Sequence, residues 1–246
     1  MMVDVVNEVA EAIARIGDGD SVAIGGFGLS GCPTALVDGL CDADLHQLEV
    51  IANNIGLDPG SSPYRLVEEG RVSKFVGSFP GGSIFFERFY GGDIELELVP
   101  QGTFAERLRA GGVGIPAFYT PAGAGTVLGD GGLETKYDSS GAAISWSQPK
   151  ETRAFGGRDC VLEEAITADF GLVKAHVADR SGNLVFNFAG SNFNPLVAMA
   201  SRCVIVEATH IVDTGEINPN HVDVPGLLVD YIVRSPGSEQ DGGGSR

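Results

Sequence analysis

Short apolar strands alternate with amphipathic helices along residues 21–110, and this alternation limits the possible folds more than any other feature of the sequence. A strand that leads through a helix to the next strand forms a βαβ unit, and its strands run parallel because the helix returns the chain to the starting edge. The sequence therefore predicts an α/β fold with an open, mostly parallel sheet flanked by helices. The predicted strands are 21–24, 48–52, 72–77 and 94–99, and the predicted helices are 3–16, 33–40, 63–69, 84–90 and 104–110.

Residues 111–160 break this rhythm, because glycine and turn residues dominate there and the apolar runs are short. This pattern predicts a small β-rich insertion within one domain covering residues 1–234. Long apolar runs return from Ala168 onwards, and Asp179–Asn183 reads as a hairpin loop between two of them. The low-complexity stretch 235–246 predicts a disordered tail.

The chain of 246 residues carries a formal net charge of -17, from 33 acidic and 16 basic residues. Such a charge repels nucleic acid and anionic lipid, so neither is an expected partner. Four dispersed cysteines without a C-x-x-C pair indicate reduced thiols and no metal site. The acidic start of the chain does not fit a secretory signal, and no apolar run is long enough to span a membrane. We therefore expect a cytoplasmic protein.

A glycine-rich loop lies between the first buried strand and its helix. Successive glycines let backbone N–H groups approach a ligand without obstruction by side chains. The helix that follows would add a favourable dipole for an anion or a developing oxyanion, with Pro33 as its first residue. The sequence therefore predicts a ligand-binding loop for an anion or a developing oxyanion, made of Gly25, Gly26, Phe27, Gly28, Leu29, Ser30 and Gly31.

The same loop matches the G-x-G-x-x-G pattern of dinucleotide-binding folds. That interpretation requires an acidic residue at the end of the next strand, and Asn53 and Asn54 stand there instead. Pro33 also removes one donor at the start of the helix. Both departures disfavour a nicotinamide cofactor.

Several longer blocks resemble the alpha (A) subunit of the family I CoA-transferases, in the order found in that family and over roughly residues 5–233. The resemblance is nearest to succinyl-CoA:3-ketoacid CoA-transferases, and residues 76–80 also resemble 3-oxoadipate CoA-transferases. One departure concerns residues 187–191, where the family commonly has basic residues and this chain has none. The similar blocks are 24–33, 95–112, 114–121, 169–176, 179–184 and 192–195.

The resemblance implies a ping-pong transfer in which a glutamate of the beta (B) subunit attacks the acyl-CoA thioester. No Ser-Glu-Asn-Gly-like motif occurs in this chain, so the resemblance places no catalytic nucleophile here and implies a beta-subunit partner in a hetero-oligomer. It also implies that residues 25–31 form a CoA-binding or oxyanion loop and that Asn53, Asn54 and Gln101 bind substrate. CoA enters as a thioester substrate, and no tightly bound cofactor or metal is expected.

Two alternatives stay open at this point. A CoA-thioester hydrolase could use the same fold with water as the acceptor, because a fold does not fix its chemistry. A nucleotide-binding module without enzymatic activity would also fit the glycine loop.

Overall fold

The computed structural model describes residues 3–237, whose strands mostly belong to one large sheet. Its order is β1-β14-β13-β11-β2-β3-β4-β5, and every neighbouring pair along this path is parallel. The predicted α/β fold class is confirmed. The strands are β1 (Asp4–Val6), β2 (Ser21–Ile24), β3 (Leu48–Ile55), β4 (Val72–Pro80), β5 (Glu95–Leu98), β6 (Ala117–Thr120), β7 (Glu134–Tyr137), β8 (Ala143–Trp146), β9 (Thr152–Phe155), β10 (Arg158–Glu164), β11 (Ala168–Asp179), β12 (Leu184–Val185), β13 (Ser201–Val212) and β14 (Tyr231–Arg234).

Helices cover both faces of this sheet, and the core is accordingly split into two layers. Side chains from α1 to α4 fill one layer, and side chains from α5 and α7 fill the other. Three short 3-10 turns, at Phe188–Ser191, Pro219–His221 and Gly226–Leu228, complete the regular structure of the described chain. The helices are α1 (Val9–Ile13), α2 (Thr34–Asp42), α3 (Ser62–Glu68), α4 (Gly82–Tyr90), α5 (Gln101–Gly112), α6 (Val127–Asp130) and α7 (Asn194–Ala200).

The direction of chain progression reverses at β2, and this positions the candidate site. From β2 the sheet continues through β3, β4 and β5 on one side, whereas β11, β13 and β14 lie on the other. Open α/β sheets bind ligands in the crevice at such a reversal, beyond the carboxyl ends of the strands. The glycine loop follows the carboxyl end of β2 and therefore lies in this crevice.

Two predicted elements were wrong in their boundaries. The chain between residues 3 and 16 is not one helix, because Asp4–Val6 form an edge strand whose partner is Tyr231–Val233 of β14. The predicted helix 104–110 also starts too late, because Thr103 and Glu106 have the spacing of a capping box in the sequence. Helix α5 begins at Gln101 without a side-chain cap, and within residues 3–237 the buried Thr103 hydroxyl has no hydrogen-bond partner.

The segment 111–160 contains small antiparallel sheets, one with the order β6-β10-β9 and one formed by β7 and β8. Arg107 of α5 anchors this segment to the large sheet. Its Nε donates to the carbonyl of Glu164 at 2.6 Å, and its Nη1 donates to Glu97 Oε1 at 2.7 Å. One side chain therefore links β10 of the β-rich segment to β5 of the large sheet.

The predicted disordered tail, 235–246, falls mostly outside the described residues. Ser235, its first residue, is buried, and its hydroxyl donates to Glu207 Oε1 at 3.0 Å. Ser235 therefore packs with the domain, which corrects the predicted start of the tail.

Candidate active site

The glycine loop is a tight turn that depends on glycine at three positions. Gly26, Gly28 and Gly31 have φ values of +119°, +60° and +68°, a region that disfavours other residues. Between them, Phe27 and Ser30 exchange two backbone hydrogen bonds, Phe27 N–H to Ser30 O at 3.0 Å and Ser30 N–H to Phe27 O at 3.1 Å. The side chains of Phe27 and Leu29 are about half exposed at 53% and 49%. The turn thus exposes two apolar side chains to solvent beyond the carboxyl end of β2.

The backbone N–H groups of this loop fall into two sets. Gly25 donates to Leu172 O at 2.9 Å, and Gly28 donates to the side-chain Oδ1 of Asn54 at 2.8 Å. Across the described residues, no acceptor is hydrogen-bonded to the N–H groups of Gly26, Leu29 or Gly31. The second set supplies the donors with which the loop can meet a ligand.

The three amides singled out from the sequence lie in one hydrogen-bonded chain. Gln101 Nε2 donates to Asn53 Oδ1 at 2.8 Å, and Asn53 Nδ2 donates to Asn54 Oδ1 at 3.2 Å. Asn54 Oδ1 also accepts from Gly28 N–H. This series of hydrogen bonds therefore connects the start of α5, through β3, to the glycine loop. Asn54 Nδ2 has no partner within residues 3–237 and remains as a donor.

Gln101 reaches this chain from a different element than the sequence indicated. The sequence placed it between the predicted strand 94–99 and the predicted helix 104–110, but β5 ends at Leu98 and Gln101 is the first residue of α5. Asn53 is buried, Asn54 is half-buried and Gln101 is exposed. The three hydrogen-bonded amides therefore range from a buried side chain, Asn53, to an exposed one, Gln101.

Asn194, which sequence reasoning did not single out, fixes the other side of the loop. Its side chain is fully buried, and its Oδ1 accepts from the backbone N–H of Lys174 at 2.9 Å. Its Nδ2 donates to the carbonyls of Gly31 at 2.9 Å and Gly190 at 2.8 Å. One amide thus joins the glycine loop, β11 and the 188–191 turn.

The start of α2 was expected to offer its dipole to a ligand, and here the structure contradicts the sequence analysis. The carboxylate of Glu207 already occupies this position, with Oε2 accepting from Ala35 N–H at 2.9 Å and Leu36 N–H at 3.4 Å. Its Oε1 accepts from Lys174 Nζ at 2.6 Å. An internal acid has therefore taken the helix terminus that a bound pyrophosphate needs, which argues further against a dinucleotide site.

Comparisons with known proteins identify the family of this chain. The family model for coenzyme A transferase matches residues 6–235. The chain belongs to the coenzyme A transferase family. The alpha (A) subunit of a probable succinyl-CoA:3-ketoacid coenzyme A transferase of Mycobacterium tuberculosis is 49% identical over 233 residues, covering 94% of each chain. The mitochondrial succinyl-CoA:3-ketoacid coenzyme A transferase 2A of the mouse is 41% identical, and the match covers 94% of this chain and 44% of the mouse protein.

Solved structures show the same fold. The apoenzyme of an acyl-CoA transferase from Escherichia coli O157:H7 aligns with a TM-score of 0.79 at 22% identity, over all of this chain and 49% of that one. A variant of the decarboxylase AibA/AibB aligns with a TM-score of 0.75 at 25% identity, covering 98% of this chain and 88% of that one. The coenzyme A transferase fold thus also appears in a protein described as a decarboxylase.

Two side chains of this coenzyme A transferase chain are unsuited to act as nucleophiles. Burial and, next, the charge of Glu207 raise the pKa of the Cys32 thiol to about 12, so the thiol is neutral at physiological pH. Glu207 itself is buried, and both its carboxylate oxygens accept hydrogen bonds. Neither group is poised for covalent catalysis.

Residues 3–237 offer neither a membrane span among their helices nor a cluster of metal ligands. No helix there combines the length and apolar character needed to cross a bilayer. No group of three or more His, Cys, Asp or Glu side chains is arranged around a possible metal ion.

Proposed function

We propose that this chain is the alpha subunit of a CoA-transferase that moves CoA from succinyl-CoA to a 3-oxo acid such as acetoacetate or 3-oxoadipate. The names of its relatives support this substrate pair, and the hydrogen-bonded amides support a site for a carbonyl group. The observation that carries the proposal is the chain Gln101, Asn53, Asn54 and Gly28, which ends beside unpaired N–H groups of the glycine loop.

The proposed reaction is ping-pong, with a glutamate of the beta subunit as the nucleophile. Its carboxylate attacks the thioester carbonyl and expels the CoA thiolate, which leaves an acyl-glutamyl anhydride. The thiolate then attacks the glutamyl carbonyl, which releases the first acid and forms an enzyme–CoA thioester. The 3-oxo acid takes the CoA by the reverse of these two steps.

Negative charge develops on a carbonyl oxygen at each step, and this chain contributes donors for it. Asn54 Nδ2 and the N–H groups of Gly26 and Gly31 are uncharged donors held in fixed positions. Such preorganised donors stabilise an oxyanion strongly, because they need no reorganisation when the charge appears. The role proposed for residues 25–31 is therefore oxyanion and thioester binding, and for Asn53, Asn54 and Gln101 substrate binding.

A partner chain follows from this division of labour. The relatives from M. tuberculosis and Bacillus subtilis are each named as the alpha (A) subunit of a transferase, which supports a beta subunit as partner in a heterodimer or heterotetramer. Residues 1–234, with Ser235 packed against them, would form the alpha-subunit domain, with 111–160 as its insertion. The thiols of Cys32, Cys41, Cys160 and Cys203 are all free, which supports a reducing, cytoplasmic location.

Co-expression with the beta subunit tests the proposal. The purified complex is mixed with succinyl-CoA and acetoacetate, and acetoacetyl-CoA is followed by its absorbance. We expect acetoacetyl-CoA from the complex and none from either chain alone. Release of free CoA without acetoacetyl-CoA would instead identify a thioester hydrolase. Binding of NAD to the isolated chain, without any acyl-CoA chemistry, would identify the nucleotide-binding alternative.

A further inference from the structure

A cavity of about 310 Å³ lies on the β11 side of the glycine loop. Asn53 and Asn54 are on the opposite, β3 side, because β2 stands between β3 and β11 in the sheet. Ser30 and Gly31 form one wall of the cavity, and the 188–191 turn forms another. The cavity therefore opens beside the proposed reaction site, at the reversal of chain direction where α/β sheets bind ligands.

Several polar side chains converge on this cavity without using their hydrogen-bonding capacity internally. Ser30, Asn187 and Thr209 line it, and within residues 3–237 their side chains make no hydrogen bond. Each can donate a hydrogen bond to an anion. The apolar side chains of Phe186 and Phe188 complete the lining, which is the mixture typical of small-molecule sites.

Lys174 also lines this cavity, as the cationic half of an ion pair with Glu207. An ammonium has three N–H donors. Two of them go to Glu207 Oε1 and the hydroxyl of Ser235, and the side chain remains 23% exposed. His176 lines the cavity as well, two residues further along β11. In a chain with a net charge of -17, an anionic ligand depends on local groups of this kind.

We propose that this cavity binds the non-reacting carboxylate of a dicarboxylic acyl group, such as the free end of succinyl-CoA. The inference rests on the proposed transferase function and adds the residues that select the acid. The volume is near the lower limit of small-molecule sites, so it suits a short acid and excludes the nucleotide of CoA. A donor such as butyryl-CoA lacks this carboxylate and gains nothing from the cavity.

The test places a negative charge on the cavity wall in the complex of both subunits. Thr209→Asp adds the charge, and Thr209→Asn is the uncharged control of matched size. We expect Thr209→Asp to raise the KM for succinyl-CoA by about tenfold or more relative to Thr209→Asn, because like charges at short range repel. The KM for acetoacetate should stay within about twofold in both variants.

A binding measurement separates this inference from the proposed function. Succinate is titrated into the complex by calorimetry, with butyrate as the comparison ligand. Weaker succinate binding in Thr209→Asp than in Thr209→Asn supports the carboxylate site even if no transfer is found. Equal succinate affinity in the two variants overturns it, as does loss of complex assembly in Thr209→Asp alone, since the cavity would then belong to the contact between the subunits. If Thr209→Asp does not fold, Asn187→Asp is compared with the unaltered complex by the same criteria.

Discussion

The side-chain Oδ1 of Asn194 lies 1.9 Å from the position that a Cβ atom on Gly25 would occupy. Residue 25 therefore has to be glycine because of its neighbour, whereas Gly28 has φ +60° and open space around its Cβ position. Glycine is therefore required at position 25 by a steric clash and is favoured at position 28 by its positive φ. At Gly25 the backbone approaches another side chain of the protein. At Gly28 the open space in front of the backbone is available to a ligand.

Asn194→Asp should loosen the loop although it changes only one atom of the side chain. Oδ1 can still accept from Lys174, but a carboxylate oxygen would face the carbonyls of Gly31 and Gly190 in place of a donor. We expect a loss of roughly 3 kcal/mol in the free energy of unfolding, measured in urea. Asn192→Asp is the control, because Asn192 bonds the same two segments from a half-buried position. An equal effect of both variants would contradict this account.

Asn54→Asp should leave the fold intact and remove activity. The new carboxylate can accept from Gly28 N–H and Asn53 Nδ2 as the amide does, so the hydrogen-bonded chain survives. The Nδ2 donor is lost, and a negative charge faces the proposed oxyanion. We expect kcat/KM to fall about 100-fold or more while the urea midpoint changes little. Activity within a few-fold of the unaltered complex would show that Asn54 only supports the loop.

Gly28→Val should also affect activity more than stability. No atom lies within 4 Å of the added Cβ, so the cost to the fold is backbone strain of about 1–3 kcal/mol. Acyl-CoA use should fall about 100–1000-fold, because the side chain enters the space in front of the loop. Gly125→Val is the matched control, with φ +69°, similar open space and a position in the insertion. Equal turnover of acyl-CoA by the two variants would show that the loop is a structural turn without a role in binding acyl-CoA.

Glu207→Gln should disturb the site through the start of α2. The change leaves Lys174 without its charged partner and weakens the bonds to Ala35 and Leu36. We expect a loss of about 3 kcal/mol in stability and lower transfer activity in the protein that remains folded. Glu163→Gln offers a comparison, since Glu163 is also buried and paired, with Lys150 at 2.5 Å, but lies in β10. Its stability should fall while the activity per folded molecule is retained.

Cys32 should behave as an inert thiol. Its pKa in the folded protein is about 12 against an ordinary 9.0, so the folded state keeps a proton that the unfolded state releases. The stabilising contribution is therefore complete below pH 9.0 and is lost as the pH rises towards 12. Iodoacetamide at pH 8 should leave Cys32 unlabelled by mass spectrometry until the protein is unfolded. Rapid labelling of the folded protein, or loss of activity in Cys32→Ala, would reopen a nucleophilic role.

The sequence could predict what depends on neighbouring residues. Apolar periodicity located β2, β3 and the helices between the central strands, and the turn residues located the glycine loop. It also placed Asn53 and Asn54 near the carboxyl end of β3, although the strand does not stop at residue 52 as predicted but continues through both residues to Ile55. Helix α5 started earlier than predicted, since Thr103 and Glu106 fit a capping pattern that the fold does not use.

The parts that could not be predicted join residues far apart in the chain. Glu207 reaches the start of α2 across 172 residues, and Asn194 reaches Gly31 across 163. Neither residue carries a local pattern that points to its partner. The apolar spacing predicted that Val5 and Val6 belong to a helix, and their pairing with the distant β14 makes them part of a strand instead.

That pairing also sets an order on folding. Asp4 and Tyr231 are register partners, so β1, the first strand of the described residues, cannot pair before β14, the last strand, has been synthesised. During synthesis on a ribosome, β1 and the outer edge of β13 stay unpaired until residues 231–234 emerge. Exposed strand edges of this kind are prone to aggregation, and such distant contacts fold slowly. Production of the chain should therefore be sensitive to the speed of translation and to chaperones.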